Sequence, residues 1–381
     1  MIDAMHFQKL PLILILFLFS CNTQPKSSVP AGGESPGSSG NSWIDRTYLI
    51  QKQFNKVYTP AWEGANGAIG DAYLFRVTND SSIFLKYRYQ FDLKLLNNGT
   101  WVDDRAWACL AELYWWEFTG KQHMDWVKDA AARYVEARNE GRLSNAEGYW
   151  TWYNYPPNAQ VNEEIITNSN MNQMVTVACR LFLATGDRRF LDDALLAWNG
   201  DSRSPGIEKT FYRGNGTWSG KGGLAAFGKQ LPWESASYLS VLTALYQATG
   251  DPKYRQMAVA SAKHILDAKT GWIDSIDCYQ VRMDGNGAFV HFLLDAYEIA
   301  PKELAMIPPM IERMLEHVWT NNHGKATVQL HRLSDHGIRN GWNPHGGEDG
   351  YGVDEVGTKH AQSQALRAFG VFTYFHHLTQ K

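Results

Sequence analysis

Apolar positions recur at helical spacing along most of the chain. Val177, Ala178, Leu181 and Phe182 share one helical face, as do Phe289, Phe292, Leu293, Ala296 and Tyr297. Ile311, Met314, Leu315, Val318 and Trp319 repeat the pattern, and Leu366 and Phe369 fall in a final segment of the same kind. Long stretches of period-two alternation, the mark of half-buried strands, are absent from the sequence. The pattern predicts an all-α protein.

A second regularity predicts how the helices connect. Trp116-Glu117-Phe118-Thr119-Gly120, Leu183-Ala184-Thr185-Gly186-Asp187 and Gln247-Ala248-Thr249-Gly250-Asp251 each close an apolar helix and precede another. Gly adopts the left-handed conformation that ends a helix. Asp then caps the next one, and Pro252 suits a first helical position. Each unit therefore reads as a helical hairpin with a tight turn. The turns recur about every 65 residues, so a unit holds two helices and a substantial loop. About six such hairpins account for the chain, and six close into an (α/α)6 toroid with tight turns on one rim and long loops on the other. The long loops Gly148–Asn162, Gly214–Trp233 and His331–Gly357 gather Gly, Asn, Trp and Tyr, the composition of a substrate groove.

The first residues follow a different logic. Lys9 precedes the apolar run Leu10–Phe19, too short to cross a bilayer comfortably, and Leu18-Phe19-Ser20-Cys21 resembles a bacterial lipobox. Residues 1–20 are expected to be a lipoprotein signal peptide. Cys21 is expected to be the lipidated residue, and 21–42, rich in Ser, Gly and Pro, a flexible tether. The folded domain is then 43–381, on a lipoprotein of the bacterial cell envelope, at the outer membrane or cell surface. Cys109, Cys179 and Cys278 remain, an odd number without C-x-x-C spacing, which argues against a disulfide framework and a metal cluster. The net charge of -3 argues against nucleic acid as a partner. Neither a cofactor nor a metal is expected, and the chain is read as a monomer. The 15 Trp and 18 Tyr serve core packing, and some of them suit a carbohydrate cleft, because aromatic faces stack on the apolar faces of sugar rings.

The candidate chemistry lies in Asn97-Asn98-Gly99-Thr100-Trp101-Val102-Asp103-Asp104-Arg105-Ala106-Trp107, a polar loop entering a helix. Asp103 and Asp104 meet the requirements of helix capping, since acidic side chains favour the first turn. They also meet those of glycoside hydrolysis. Two adjacent like charges repel, so one carboxyl is expected to hold its proton, and the reaction needs carboxyls in different protonation states. Adjacent Cα atoms lie about 3.8 Å apart, which suits the roughly 5–5.5 Å carboxyl separation of retaining enzymes better than the wider inverting one.

Trp101-Val102-Asp103-Asp104-Arg105-Ala106-Trp107-Ala108 resembles the signature of glycoside hydrolase family 76, the endo-α-1,6-mannanases. Gly148-Tyr149-Trp150-Thr151-Trp152 is similar to that family's aromatic loop. Asn168-Ser169-Asn170 and the two Thr-Gly-Asp blocks are similar to the blocks that follow. Leu231-Pro232-Trp233-Glu234-Ser235 stands where the family often carries Tyr-Asn-Gln-Gly. The resemblance covers most of Trp43 to Leu378. It implies an (α/α)6 toroid, a mannan-type substrate and a retaining mechanism, with Asp103 as nucleophile and Asp104 as acid/base. The expected substrate-binding residues are Trp62, Trp101, Trp107, Trp150, Trp152, Tyr153, Asn168, Asn170, Trp233 and Glu234. Two other readings stand beside it: another α-toroid enzyme, such as an unsaturated-uronide hydrolase or a sugar epimerase, and a non-catalytic glycan-binding lipoprotein. His345 and His360, near Asp349, Asp354 and Glu355, read as polar loop residues rather than a cation site.

Overall fold

The computed structural model describes residues 42–96, 102–139, 173–202, 206–218, 232–267, 286–320 and 359–380, all within the compact unit Ser38–Lys381. In chain order the helices are α1 (Trp43–Val57), α2 (Trp62–Thr78), α3 (Ser81–Tyr89), α4 (Val102–Phe118), α5 (Met124–Asn139), α6 (Gln173–Thr185) and α7 (Arg188–Asn199). They continue with α8 (Gly206–Phe211), α9 (Pro232–Thr249), α10 (Pro252–Ile265), α11 (Asn286–Ile299), α12 (Ile307–Thr320) and α13 (Lys359–Thr379). A short antiparallel hairpin, β1 (Tyr212–Gly214) and β2 (Thr217–Trp218), follows α8; the helical periodicity gave no sign of it.

The sequence pattern separates two kinds of helix. On α2 every residue from Glu63 to Leu74 is buried, and on α11 every residue from Asn286 to Ala296. Outer helices bury one stripe, such as Phe190, Leu191, Asp193, Ala194, Ala197 and Trp198 of α7. The fully buried helices form a closed ring, α2–α4–α6–α9–α11–α13, with α13 packing back on α2. Each carries an outer partner: α3, α5, α7, α10, α12 and, for α13, the N-terminal α1. The protein is an (α/α)6 toroid, closed by pairing its first helix with its last.

The inner helices run parallel. Lys359 at the start of α13 pairs with Glu63 at the start of α2, while Tyr374 near the end of α13 meets Tyr73 of α2. The ring closes tightly because glycine lets backbones touch. A Cβ on Gly70 would drive into the Leu366 carbonyl, and one on Gly370 into the Gly70 carbonyl.

The Thr-Gly-Asp turns are built as the sequence predicts. Gly186 and Gly250 take φ of 72° and 71°, and their N–H groups donate to Phe182 O and Tyr246 O at 2.7 and 2.8 Å. The Thr185 and Thr249 hydroxyls donate to the Leu181 and Leu245 carbonyls at 2.7 and 2.6 Å and accept the Asp187 and Asp251 N–H, both at 3.1 Å. Asp187 and Asp251 cap α7 and α10 by accepting from Arg189 N and Lys253 N at 3.0 and 2.9 Å. After α4 the Thr119 hydroxyl again donates to the Trp115 carbonyl at 2.7 Å and Gly120 takes φ 71°, but the Gly120 N–H turns to Glu117 O at 3.3 Å, and Lys121, in the Asp position with φ 64°, donates its N–H to Trp116 O at 2.9 Å. These turns lie at the C-terminal ends of the inner helices. The N-terminal ends, Asp103 and Asp104 among them, lie on the opposite rim.

Candidate active site

Asp103 and Asp104 occupy the first turn of α4, where free N–H groups and the positive end of the helix dipole face the rim. The Asp104 N–H donates to Asp103 Oδ1 at 3.1 Å. The segment leading into α4 is pinned from below. Arg133 of α5 donates to the carbonyls of Leu96, Leu93 and Lys94 at 2.7, 3.2 and 2.9 Å, and is itself held by Glu112 of α4 at 3.3 Å.

The neighbouring first turns bring in a third carboxylate. Glu63 of α2 is 2% exposed, and the Lys359 ammonium lies 2.9 Å from its Oε1. Burial, then the charge of Asp103, then that of Glu63 push the Asp104 carboxyl up to about 8. Asp104 thus carries its proton near neutral pH, beside the charge of Asp103. This arrangement is chemically competent for acid catalysis at Asp104.

Beneath the pair the ring encloses a polar axis. Trp107, one turn below Asp103, is 6% exposed; it stacks on Phe292 at 6.2 Å, and the Arg367 guanidinium lies 4.8 Å from its ring centre. Arg367 donates to Asn66 Oδ1 at 2.5 Å and, through Nη2, approaches His291 Nδ1 at 2.9 Å. Arginine has no acceptor, so His291 Nδ1 accepts and Nε2 bears the hydrogen. That nitrogen lies 2.9 Å from the Tyr73 hydroxyl and 3.0 Å from the Tyr114 hydroxyl. Burial, reinforced by Arg367 and Arg180, holds the imidazole pKa well below its usual value, so the ring is neutral. Burial pushes Asp295, 3.5 Å from the same nitrogen, up to about 7.

The other expected binding residues fall variously. Trp62 opens α2, half-buried, on the same rim as the pair, and its carbonyl accepts from Asn66 at 2.9 Å. Trp107 faces the polar axis, packed between Phe292 and Arg367. Trp233 and Glu234 lie in the first turn of α9, again on this rim, and only their backbone is described. Trp101, Trp150, Trp152, Tyr153, Asn168 and Asn170 lie outside the described residues, as do Cys21 and the segment His331–Gly357.

The sequence reading missed Glu63, Lys359, Asn66, His291 and Arg367. A signal for Glu63 was present: Trp62-Glu63 and Trp233-Glu234 both open inner helices with an aromatic followed by an acid, as Trp101 precedes Asp103. The polar axis left no such signal, because its members are spread over α2, α4, α11 and α13 and meet only in the closed ring.

No family model matches the chain, and no curated protein matches it in sequence. Solved structures do. An inactive variant of the family 76 α-1,6-mannanase of Salegentibacter sp. HEL1_6, with Asn at two neighbouring aspartates and α-1,6-mannotriose bound, aligns over 87% of this chain and 99% of its own, at 14% identity and a TM-score of 0.66. The family 76 glycoside hydrolase (mannosidase) Bt3792 of Bacteroides thetaiotaomicron VPI-5482 covers 88% and 99%, at 13% identity and a TM-score of 0.64. Dfg5 from Chaetomium thermophilum, in complex with glucosamine, covers 83% and 80%, at 16% identity and a TM-score of 0.57. The likeness is one of fold, and the toroid is common ground with the family 76 α-1,6-mannanases.

Proposed function

We propose that the chain is a glycoside hydrolase that cleaves α-1,6-mannosidic linkages within mannan by a retaining double displacement. The observation that carries this reading is the adjacent carboxyl pair at the N-terminal end of α4, in which burial and two like charges keep Asp104 protonated to about pH 8. The similar mannanase that is inactive with Asn at two neighbouring aspartates supports it. Asp103 attacks the anomeric carbon while Asp104 gives its proton to the glycosidic oxygen. The bond to the leaving sugar breaks and a glycosyl ester forms. Asp104, now ionised, takes a proton from water, whose oxygen displaces Asp103 and restores the original anomeric configuration. Trp62, Trp101, Trp150, Trp152, Tyr153 and Trp233 are proposed to present ring faces to the sugars, with Asn168, Asn170 and Glu234 offering hydrogen bonds. Trp107 supports the pair from below.

The test is incubation with α-1,6-mannan. Reducing ends appear, and proton NMR of the first product shows the α anomer. Asp103→Asn and Asp104→Asn keep the side-chain size, so the fold holds while turnover drops about 10²–10⁴-fold or more. With a substrate whose leaving group needs no proton, the Asp104 variant recovers its first step and the Asp103 variant does not. Near-normal turnover by either variant on the polymer refutes the assignment.

The proposal extends to location. A lipid on Cys21, with the Ser/Gly/Pro segment as tether, would hold the enzyme on the cell envelope. Among the described residues no helix is long and apolar enough to cross a membrane. Cys21→Ala is expected to move the protein from the membrane fraction to the soluble one, and a variant that stays with membranes contradicts the anchor.

A further inference from the structure

The rim opposite the carboxylate pair holds a concavity that the proposed hydrolysis leaves unused. Along α4, Asp104 and Glu117 lie thirteen residues apart, roughly 20 Å at the helical rise. At that far end a cavity of about 330 Å³ opens between the C-terminal ends of the inner helices. Tyr114, Trp116 and Glu117 of α4, Arg180 of α6, Glu298 of α11 and Tyr374 of α13 line it.

Its polar groups are only partly used. Arg180 donates through Nη1 to Glu117 at 3.1 Å and through Nη2 to the Tyr114 hydroxyl at 2.8 Å. Its Nε and the indole N–H of Trp116, a residue 8% exposed, are buried in the wall with no hydrogen-bond partner among the described residues. Buried donors left unmatched are costly, so a ligand or water that reaches them is favoured. Glu298 is reachable by solvent, yet burial raises its carboxyl pKa, against the opposing charge of Arg180 and with that of Glu117. Lys121 lies over the Trp116 ring at 5.4 Å, and exposed Gln247 adds an amide at the mouth.

This inventory selects a ligand class. A metal ion is disfavoured, because no group of three His, Cys, Asp or Glu able to hold one forms among the described residues. An anion meets Arg180 and Lys121 but also Glu117, Glu298 and the buried Asp295 behind them. An apolar ligand would displace water from Lys121 and Glu298 and offer no hydrogen bond in exchange. A neutral sugar satisfies both sets: its hydroxyls donate to Glu298 and accept from Arg180 and Lys121, and its C–H face lies against Tyr374. We propose that this cavity is a second carbohydrate-binding site, sized for one or two neutral sugar units and separate from the cleavage site. It does not depend on the chemistry assigned to Asp103 and Asp104.

The test uses the otherwise intact protein carrying Asp103→Asn and Asp104→Asn, so that sugars are bound and not consumed. Indole nitrogen–proton NMR follows the Trp116 signal, assigned with Trp116→Phe, during titration with α-1,6-mannotriose, maltotriose or inorganic phosphate. A saccharide that shifts Trp116 supports the site, whichever of the two it is. Glu298→Ala, a change at a solvent-reachable side chain, then weakens that response by about tenfold or more, the loss of one hydrogen bond to a charged group. Gln247→Trp, which fills the mouth from α9, gives the same loss by exclusion. A Trp116 signal unmoved by either saccharide, a response indifferent to both variants, or a response to phosphate alone overturns the proposal. Mannan hydrolysis by the unsubstituted protein is scored separately, so failure of the rim site and failure of the catalytic reading are distinguishable.

Discussion

Replacing Glu63 with Gln is expected to lower the pH at which Asp104 gives up its proton. Glu63 is 2% exposed, and its charge is the third cause, after burial and Asp103, that pushes the Asp104 carboxyl up to about 8. Gln keeps the shape and removes one negative charge. Lys359, which lies 2.9 Å from Glu63 Oε1, keeps its positive charge and loses that carboxylate partner. Both changes favour the ionised form of Asp104. At an effective dielectric of about 20, a unit charge on a neighbouring helix turn contributes on the order of 1 kcal/mol, about one pKa unit. A general acid works in its protonated form, so kcat/KM is high below its pKa and falls as pH rises through it. The alkaline limb of kcat/KM on α-1,6-mannan oligosaccharides is therefore expected to move down by about one unit in E63Q. A carbon-detected NMR titration of the Asp104 carboxyl measures the same shift without turnover. A limb that stays in place or moves up, in a variant that melts as a folded protein, refutes the electrostatic account. Loss of activity at every pH refutes a purely electrostatic role for Glu63.

Two further outcomes follow from the same geometry. Because the folded-state pKa of Asp104 is raised, the native protein keeps a proton that the unfolded chain releases above the ordinary carboxylate range. Stability attributable to this group therefore falls as pH climbs from that range to about 8 and then levels off. Asp104→Asn removes that slope and stabilises the protein at pH 8, on the order of 1–3 kcal/mol by urea unfolding; a variant less stable there contradicts the burial argument. Gly370→Ala places a methyl against the Gly70 carbonyl, where two inner helices meet backbone to backbone, and is expected to cost about 1–3 kcal/mol or more, read as a lower Tm; an unchanged Tm would mean that the ring can open to accept it.

The parts of this fold that are local were legible in the sequence. Thr185-Gly186-Asp187 and Thr249-Gly250-Asp251 carry their whole hydrogen-bond scheme within a few residues, so the string predicts the turn. The same scheme recurs at Thr78-Asn79-Asp80 and was missed there, because Asn replaces Gly. Asn79 takes φ 54°, the Thr78 hydroxyl donates to Leu74 O at 2.9 Å, and Asp80 caps α3 by accepting from Ser82 N at 2.9 Å. Asn tolerates the left-handed region, which makes the substitution conservative in conformation if not in appearance. Asp103 and Asp104 were legible as a pair, since adjacency is a property of the string. What burial does to Asp104 was not. Its neighbour Glu63 and the counterion Lys359 stand almost three hundred residues apart in the chain, and meet only because α13 closes the ring against α2. His291 and Arg367 were hidden for a related reason: they lie on different helices far apart in the chain, and only the parallel ring turns them toward one axis.

That parallel ring also accounts for the polarity of the two rims. Each inner helix points the positive end of its dipole toward the rim of Asp103 and Asp104, and its negative end toward the tight turns. Carboxylates suit the first rim and cations the second: Glu63, Asp103 and Asp104 occupy first turns with Lys359 as counterion to Glu63, and at the far end Arg180 and Lys121 stand among Glu117 and Glu298. Dipoles alone would favour ionisation at every acid on the first rim. Burial of the Asp104 carboxyl, beside the charges of Asp103 and Glu63, outweighs that preference and pushes its pKa up to about 8. The proposed retaining hydrolysis requires such an asymmetry: Asp103 and Asp104 share a helix turn and a dipole, and burial first, then the charge of Asp103, then that of Glu63, hold the proton on Asp104.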